Sequence, residues 1–540
     1  MESRLHVRPT VVLLAVAALV LRAATLLWRG EHDPLFHVPF NDAAHYDAWA
    51  RSLAAGRDFG VPGAPYYMPP LYPHLVALFH RLGVGVWGPT ILQTLCGVLT
   101  VLGIHALGRR LYGDRAGLWA GGLALLFAPL LWFEGWLLPT TLNVLLLTAI
   151  MNLAVRCHGR RDGRDALRLL ALGLLLGLAA VNRPQNMLLL AGLAVWWVWT
   201  ARPDAARPGV SPRVRTVLML ALGAALAILP VTVRNLARSG EPVPISANGG
   251  INFYLGNFTG TTGRFEQAPG FPPDIARQQE TSMRLARRGA GRGLDWLGAS
   301  RYWLGRGLED LGADPVASLR LYAQKLRLVV SWREMENNFL AAWVHRHTGP
   351  GRWLIPSLGA LWLLALPGLV GAVRARRSEV VPLLVLTGTT ILTCLLFWVN
   401  TRHRLPLAIP LAVFAGAALA NRRLWLSRAA LATVAVAAVL VFWPTGDHED
   451  AGFYTGLGGV HAQRGEFEAA RRAYRTALAH QPDLPQALNG IALTHMDQGD
   501  PETAVALLRD LLRRYPDYEL ARRNLQRILA VSGDQLRREE

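Results

Sequence analysis

The sequence has 540 residues, of which 52% are hydrophobic and 17% are charged, and its mean hydropathy is +0.25. This composition excludes an ordinary water-soluble protein and predicts a chain for which the lipid bilayer is part of the solvent. The net charge of +19 predicts no nucleic-acid partner, because the arginines fall in short clusters between apolar runs instead of forming one basic face.

Apolar runs long enough to cross about 30 Å of hydrocarbon recur along most of the chain. The first run follows Arg4 and Arg8 and lacks a small-x-small cleavage site, so it is interpreted as an uncleaved span. The pattern predicts an all-α, polytopic membrane protein of about eleven transmembrane helices. They are predicted at 11–28, 89–108, 116–133, 138–156, 167–181, 187–200, 215–233, 354–373, 380–399, 405–420 and 424–443.

Arginine clusters predict the orientation of these spans, because positively charged loops stay in the cytoplasm. The clusters fall on alternate sides of successive spans, which predicts a cytoplasmic N-terminus. The long loops 29–88 and 234–353 and the tail are then external, on the periplasmic face of a bacterial inner membrane. Within the second loop, residues 315–331 carry basic and apolar residues at helical spacing, which predicts an interfacial helix.

The tail is polar and repeats its pattern every 34 residues, the period of tetratricopeptide repeats. We therefore divide the chain into a membrane domain, 1–445, and a periplasmic repeat domain, 446–540, that is expected to bind a protein partner or an acceptor. The repeat pattern falls on Tyr454, Leu457, Gly458, His461, Ala470, Tyr474, Ala477 and Pro482, then on Leu488, Ile491, Ala492, His495, Ala504, Leu508, Leu511 and Pro516.

The first external loop begins with a cluster of acidic and aromatic residues, FNDAAHYDAWA. On a helix, Asp42 and Tyr46 lie four residues apart and share a face, whereas Asp47 points partly aside. The alternative is that both acids are solvated loop residues.

Five further segments add a family resemblance to this cluster: PPLYP, ILPVTVRNLARSG, ISANGGINFYLGN, SWREMENN and NTRHRLPLAIPLAVFAG. Together with the Asp-x-x-x-Tyr pattern after the first span, they resemble the GT-C superfamily that contains protein O-mannosyltransferases and lipid A aminoarabinose transferases. The resemblance covers most of residues 10–420, with the segments in the expected order.

The resemblance implies an inverting glycosyltransferase that moves a sugar from a polyprenyl-phosphate donor to a hydroxyl of a protein, lipid or glycan. It implies Asp42 as the catalytic carboxylate, with Asp47 as the second candidate. Arginines would neutralise the leaving phosphate, and the candidates are Arg183, Arg234, Arg402 and Arg404. The alternative for Arg402 and Arg404 is that their side chains reach lipid headgroups. The alternative for Arg183 and Arg234 is a structural salt bridge.

Candidate substrate-contacting residues of the loops are Tyr46, Tyr72, His74, Asn248, Asn257 and Glu334. A plain turn cluster around Asn248 and Asn257, and a headgroup contact for His74, are the competing interpretations. The sequence departs from the family at Ala43 after Asp42 and at Met68 before Pro69, so the family's metal and phosphate features at these positions are not carried over to this chain. The sequence indicates no metal ligands, and the use of a divalent cation stays open.

Two functions of other classes compete with a transferase. A transporter or flippase of lipid-linked sugars would need ionisable residues within the spans, whereas the candidates here lie mostly at span ends. A non-catalytic membrane scaffold that displays the repeat domain would not need Asp42.

Overall fold

A computed structural model describes residues 9–158, 165–200, 211–271, 275–335, 340–355, 357–445 and 451–539. The chain divides into two compact units. The membrane unit comprises Met1–Glu31, Asp42–Asn337 and Val344–Thr445, and the tail unit comprises His32–Asn41, Asn338–Trp343 and Gly446–Glu540. The arginine-containing segments 159–164 and 201–210, which contribute to the predicted topology, lie outside the described residues.

In chain order the described helices are α1 (Pro9–His32), α2 (Pro34–His37), α3 (Asp42–Ala54), α4 (Leu71–Arg81), α5 (Trp87–Tyr112), α6 (Asp114–Leu126), α7 (Ala128–Trp132), α8 (Thr140–Cys157), α9 (Asp165–Asn182), α10 (Met187–Thr200), α11 (Pro212–Ser239), α12 (Gly249–Asn257), α13 (Ile275–Ala290), α14 (Trp296–Ala313), α15 (Pro315–Val330), α16 (Ala341–His347), α17 (Leu358–Arg374), α18 (Val381–Leu396), α19 (Thr401–Arg404), α20 (Ala408–Ala420), α21 (Arg428–Phe442), α22 (Ala451–Gln463), α23 (Phe467–His480), α24 (Pro485–Asp497), α25 (Pro501–Arg514) and α26 (Glu519–Glu539).

Within these residues, six helical stretches are long and apolar enough to cross a membrane, judged by length and composition. They are Pro9–His32, Trp87–Tyr112, Thr140–Cys157, Arg213–Ser239, Ser378–Leu396 and Thr401–Ala420. Shorter apolar helices are Ala166–Asn182, Leu358–Arg374 and Arg428–Phe442. The all-α polytopic class predicted from the sequence is therefore confirmed, and the number of eleven spans stays a prediction.

One predicted span, 116–133, is two helices in the structure. Helix α6 ends at Leu126, and α7 begins at Ala128 after the extended residue Phe127. The backbone at this break pairs with Ile355, whose N–H donates to the Leu126 carbonyl at 2.8 Å and whose carbonyl accepts from the Ala128 N–H at 2.9 Å. The break therefore keeps its backbone hydrogen-bonded, which a buried irregular segment requires.

The apolar stretch Thr401–Ala420, which contains α20, is the most enclosed of the six, with 83% of its apolar segment buried. Small residues let it approach its neighbours closely, because a Cβ on Gly416 would collide with the backbone of Ala116 and a Cβ on Gly368 with that of Phe414. The short helix α19 leads into α20 through Leu405–Leu407. Residues of α19 are therefore attached to a rigid part of the fold.

The predicted interfacial helix 315–331 is α15, which begins after Asp314 as its N-cap. One of its basic residues does not lie on an interfacial face as predicted. Lys325 is fully buried, and its Nζ donates to Asn257 Oδ1 at 2.9 Å and to the Leu395 carbonyl at 2.8 Å. This lysine joins α15 to α12 and to the end of α18 instead of facing headgroups.

The tail unit contains the predicted helix pairs, α22 with α23 and α24 with α25, followed by α26. Its helices pack through two apolar clusters, and ten of the sixteen pattern residues belong to these clusters or pack against them. Tyr474 lies between the pairs, where Gly458 and Gly490 leave no room for a Cβ beside its ring. The repeat spacing therefore places small residues where neighbouring helices meet.

Candidate functional site

Asp42 is the first residue of α3, where its carboxylate interacts favourably with the positive end of the helix. It lies four residues before Tyr46, and both side chains take part in one electrostatic cluster with Arg402 and Arg183. Asp42 Oδ2 accepts a hydrogen bond from Arg402 Nη1 at 2.6 Å. The structure therefore joins the predicted acid to a predicted phosphate-binding arginine 360 residues later in the chain.

The orientation of Arg402 is fixed by the turn that carries it. Asn400 caps α19, with its Oδ1 accepting from the His403 N–H at 2.8 Å. The Thr401 N–H donates to the Met335 carbonyl at 2.9 Å, and His403 Nδ1 lies 3.0 Å from the Trp398 carbonyl oxygen. These bonds hold the backbone on both sides of Arg402, so its guanidinium is preorganised against Asp42.

Arg183, between α9 and α10, is the second cation of this cluster. Its guanidinium is buried and donates to the Arg402 carbonyl at 3.4 Å and to Thr140 Oγ1 at 3.2 Å. In the part of the chain that the structure describes, no carboxylate pairs with it. Burial lowers the pKa of Arg183, and the neighbouring Arg402 lowers it further. The Asp42 carboxylate favours the charge of Arg183 but is itself paired with Arg402, so a bound anion would lower the remaining cost of this buried charge.

Tyr46 is a buried neighbour of Asp42 and not a surface residue. Burial raises the pKa of the Tyr46 hydroxyl, Asp42 raises it further, and Arg402 and Arg183 oppose the shift. Its ring packs edge-on against Tyr72, with ring centroids 5.6 Å apart. Tyr72 in turn donates to Gln93 Oε1 at 3.1 Å. This hydrogen bond holds the ring that packs against Tyr46.

A narrow polar cavity adjoins Arg183 on the side of α18. Its polar lining comes from α8, from the turn before α10, from α18 and from α19. These side chains are Asn143, Arg183, Gln185, Asn186, Thr389, Thr390, Thr393 and His403. Arginine and hydrogen-bonding groups line the cavity, with no carboxylate among the described lining residues, and its volume of about 20 Å³ has room for a water molecule and not for a substrate.

Asp47, the second predicted acid, has different surroundings. Its Oδ2 accepts from Arg51 Nε at 2.7 Å, and its Oδ1 lies 2.9 Å from His80 Nε2. Both oxygens are therefore occupied by partners on α3 and α4. The two acids lie five residues apart on α3 and differ because only Asp42 faces Arg402 and Arg183.

Arg404 lies two residues after Arg402 but is directed into the protein. It is fully buried, and its Nη atoms donate to Glu334 and to the carbonyls of Leu328, Ser331 and Arg333. Glu334 also accepts from the Leu358 N–H at 2.8 Å. The structure thus places Arg404 and the loop residue Glu334 in one buried ion pair, away from any open site.

We expect Arg404→Ala to lower the free energy of unfolding by about 3–5 kcal/mol, because it leaves Glu334 charged and buried without its partner. Thermal unfolding in detergent measures this loss, and the double variant Arg404→Leu, Glu334→Leu should recover most of it. If the melting temperature is unchanged and kcat/KM for the donor falls, Arg404 instead binds the donor phosphate.

Arg234, near the end of α11, and His74, on α4, lie together in another cluster. The Arg234 guanidinium lies 3.9 Å from the centroid of the Tyr66 ring, and His74 Nε2 lies 3.3 Å from Tyr66 Oη. Arg234 also has Asp58 as an ionic neighbour at 3.9 Å. The structure does not bring these two residues to Asp42.

The predicted asparagines have structural partners. Asn248 Oδ1 accepts from Ser246 Oγ at 3.0 Å before α12. Asn257 is buried, with its Nδ2 donating to the Phe253 and Leu396 carbonyls at 2.8 Å. These hydrogen bonds within the protein account for the positions of both asparagine side chains without a substrate.

Sequence reasoning missed a buried ion pair inside the membrane unit. Arg22, in the middle of α1, donates from Nε to Glu134 Oε1 at 2.9 Å, and both side chains are almost completely buried. Gly97 packs directly against this ion pair, because a Cβ at this position would collide with Glu134. The sequence signal for this pair was an arginine inside the apolar run of the first span, where a charged residue needs a partner.

The described residues contain no group of three His, Cys, Asp or Glu side chains that could hold a metal ion.

Residues 67–232 match the family model described as dolichyl-phosphate-mannose-protein mannosyltransferase. Residues 455–519 match a tetratricopeptide repeat model. These matches confirm the predicted resemblance and the predicted repeats. No curated protein matches the sequence.

Solved structures of the oligosaccharyltransferase of Archaeoglobus fulgidus are similar to this chain at 14% identity. The apo form has a TM-score of 0.44 and is matched over 85% of this chain and 58% of its own. The form tethered to an acceptor peptide containing the NVT sequon has a TM-score of 0.42, over 86% and 58%. The complex with an inhibitory peptide and a dolichol-phosphate has a TM-score of 0.41, over 85% and 59%. This chain thus spans less than two thirds of the length of these structures.

Proposed function

We propose, from the premise that this chain is a glycosyltransferase of the GT-C type with tetratricopeptide repeats, that it transfers a sugar from a polyprenyl-phosphate donor to a hydroxyl acceptor. The reaction takes place on the non-cytoplasmic face, which in a bacterium is the periplasmic face of the inner membrane. The acceptor is a protein, lipid or glycan hydroxyl, and the repeats bind a protein partner or the acceptor.

The observation that carries this proposal is the charge balance around Asp42. One carboxylate is paired with Arg402, while the buried Arg183 beside them has no acidic partner among the described residues. The cluster therefore has an excess positive charge in a poorly solvated position. A donor phosphate supplies the missing negative charge, and planar guanidinium groups bind phosphate with paired hydrogen bonds.

The chemistry follows from this arrangement. The acceptor oxygen attacks the anomeric carbon of the sugar and forms the new glycosidic bond, while the bond between that carbon and the phosphate oxygen breaks. The acceptor proton goes to the Asp42 carboxylate. The electron pair of the broken bond leaves with the polyprenyl phosphate, whose growing charge Arg183 and Arg402 stabilise. A single displacement of this kind inverts the anomeric configuration.

The direct experiment incubates the purified full-length protein with a radiolabelled polyprenyl-phosphate sugar and measures release of polyprenyl phosphate with transfer to added hydroxyl acceptors. Mass spectrometry of lipids that copurify with the protein identifies the donor class. Release of polyprenyl phosphate that depends on Asp42 supports a transferase. Movement of intact donor across proteoliposomes without release would support the transporter alternative.

The proposed orientation makes a separate prediction. We expect a membrane-impermeant maleimide, applied from outside to intact cells, to label Arg475→Cys in the tail and not Arg374→Cys at the end of α17, because the first is external and the second cytoplasmic. Both positions are exposed in the structure, and the native Cys96 and Cys394 are buried. The reverse labelling pattern would invert the topology.

A further inference from the structure

The tail unit is not made of the repeats alone. Two segments from the external loops belong to the same compact unit, namely His32–Asn41 after α1 and Asn338–Trp343 in the second long loop. The first repeat helix, α22, thus has parts of both loops as neighbours within its own unit.

An aromatic cluster forms part of this association. The ring of Phe453 on α22 lies 5.8 Å from the Phe40 ring and 5.7 Å from the Trp343 ring, measured between centroids. We call Phe40, Trp343 and Phe453 the aromatic anchor. Edge-on and tilted contacts at these distances are favourable arrangements of aromatic side chains.

Phe453 lies outside the apolar cluster described for the first repeat. The apolar cluster of the first repeat contains Ala451, Ala470, Tyr474, Ala477 and Ala487, but not Phe453. Phe453 is nevertheless only 1% exposed. A second close contact lies one helical turn further along α22, where a Cβ on Gly456 would lie 2.7 Å from the Phe40 ring.

Chain connectivity relates the aromatic anchor to the candidate catalytic residue. Phe40 is followed by Asn41, which has a left-handed backbone with φ of 52°, and then by Asp42, the first residue of α3. Peptide planes are rigid, so a displacement of Phe40 must be absorbed by a few backbone dihedral angles or be transmitted to Asp42.

From these observations we propose that the tail positions the catalytic carboxylate: α22 holds Phe40 and Trp343, and through Phe40 it fixes the chain that begins α3 at Asp42. Phe40, Trp343 and Phe453 are positioning residues, because they act through Asp42 and not on the substrate. The repeats are then part of the working transferase as well as a surface for partners. This inference rests on the proposed function.

The test uses two glycines of the same helix in the full-length protein. Gly456→Leu pushes a side chain into the Phe40 ring, whereas Gly459→Leu is the matched control, because the nearest atom to a Cβ there is 3.8 Å away. Both changes replace a helical glycine with a good helix former, so they affect the stability of α22 alike. Hydrogen exchange of the segment 33–41 reports the anchor, and steady-state kinetics report the site.

We expect Gly456→Leu to speed exchange in 33–41 and to lower kcat about tenfold or more, with little change in KM for the donor, because small displacements of a reacting group are expensive. Gly459→Leu should resemble the wild type in both measurements. Unchanged exchange in Gly456→Leu would overturn the anchor, and faster exchange with kcat unchanged would overturn the coupling to Asp42. If the wild-type protein transfers no sugar, the proposed function itself fails, and the exchange experiment still reports on the anchor.

Discussion

Replacing Asp42 by Asn should lower turnover by about 10²-fold or more while the protein still folds, because the amide cannot accept the acceptor's proton. The substitution keeps the shape of the side chain beside Arg402, whose Nη1 lies 2.6 Å from Asp42 Oδ2. Release of polyprenyl phosphate from a labelled donor measures the effect, and size-exclusion chromatography in detergent checks the fold.

Asp47→Asn is the matched control, because Asp47 lies on the same helix and its oxygens are held by Arg51 and His80. We expect it to lower the melting temperature while most of the turnover remains. An inactive Asp47→Asn with an active Asp42→Asn would exchange the roles of the two acids. If both variants transfer sugar normally, neither of these two acids takes part in the reaction.

Replacing Arg183 by Gln should reduce kcat/KM for the donor by about 10²- to 10³-fold, the effect of losing one group that stabilises developing negative charge. The same change should raise the melting temperature of the unliganded protein. The reason is that Arg183 is buried and has no carboxylate partner among the described residues, so its removal relieves an uncompensated charge.

Ligand-dependent stability separates this role from a structural one. Added polyprenyl phosphate should raise the melting temperature of the wild-type protein by mass action and should have a much smaller effect on Arg183→Gln. Arg404→Gln is the contrasting variant, because Arg404 is paired with Glu334, and its loss should destabilise the protein without ligand. A destabilised Arg183→Gln that still responds to polyprenyl phosphate would contradict the proposed anion site.

The arginines of the site illustrate where sequence reasoning ends. Arg402 and Arg404 occur in one short motif and look equivalent, but α19 turns their side chains in different directions. One guanidinium meets Asp42 and the other meets Glu334. Arg183 and Arg234 each stand beside an asparagine, yet only Arg183 belongs to the cluster around Asp42. Side chains two residues apart on a helix point to nearly opposite sides, which a short motif read as a sequence does not show.

The sequence by itself determined the all-α membrane class and the repeats, because these depend on local rules. A span must be helical and apolar over a fixed length to satisfy its backbone in lipid, and a repeat must return its packing residues at a fixed period. Only the tertiary structure decided which charges meet, because Asp42 and Arg402 lie 360 residues apart. It also decided that Arg22 and Glu134 form a buried pair and that Phe40 packs against Phe453. Contacts between distant segments depend on how helices pack in three dimensions, and no local period or spacing specifies that packing.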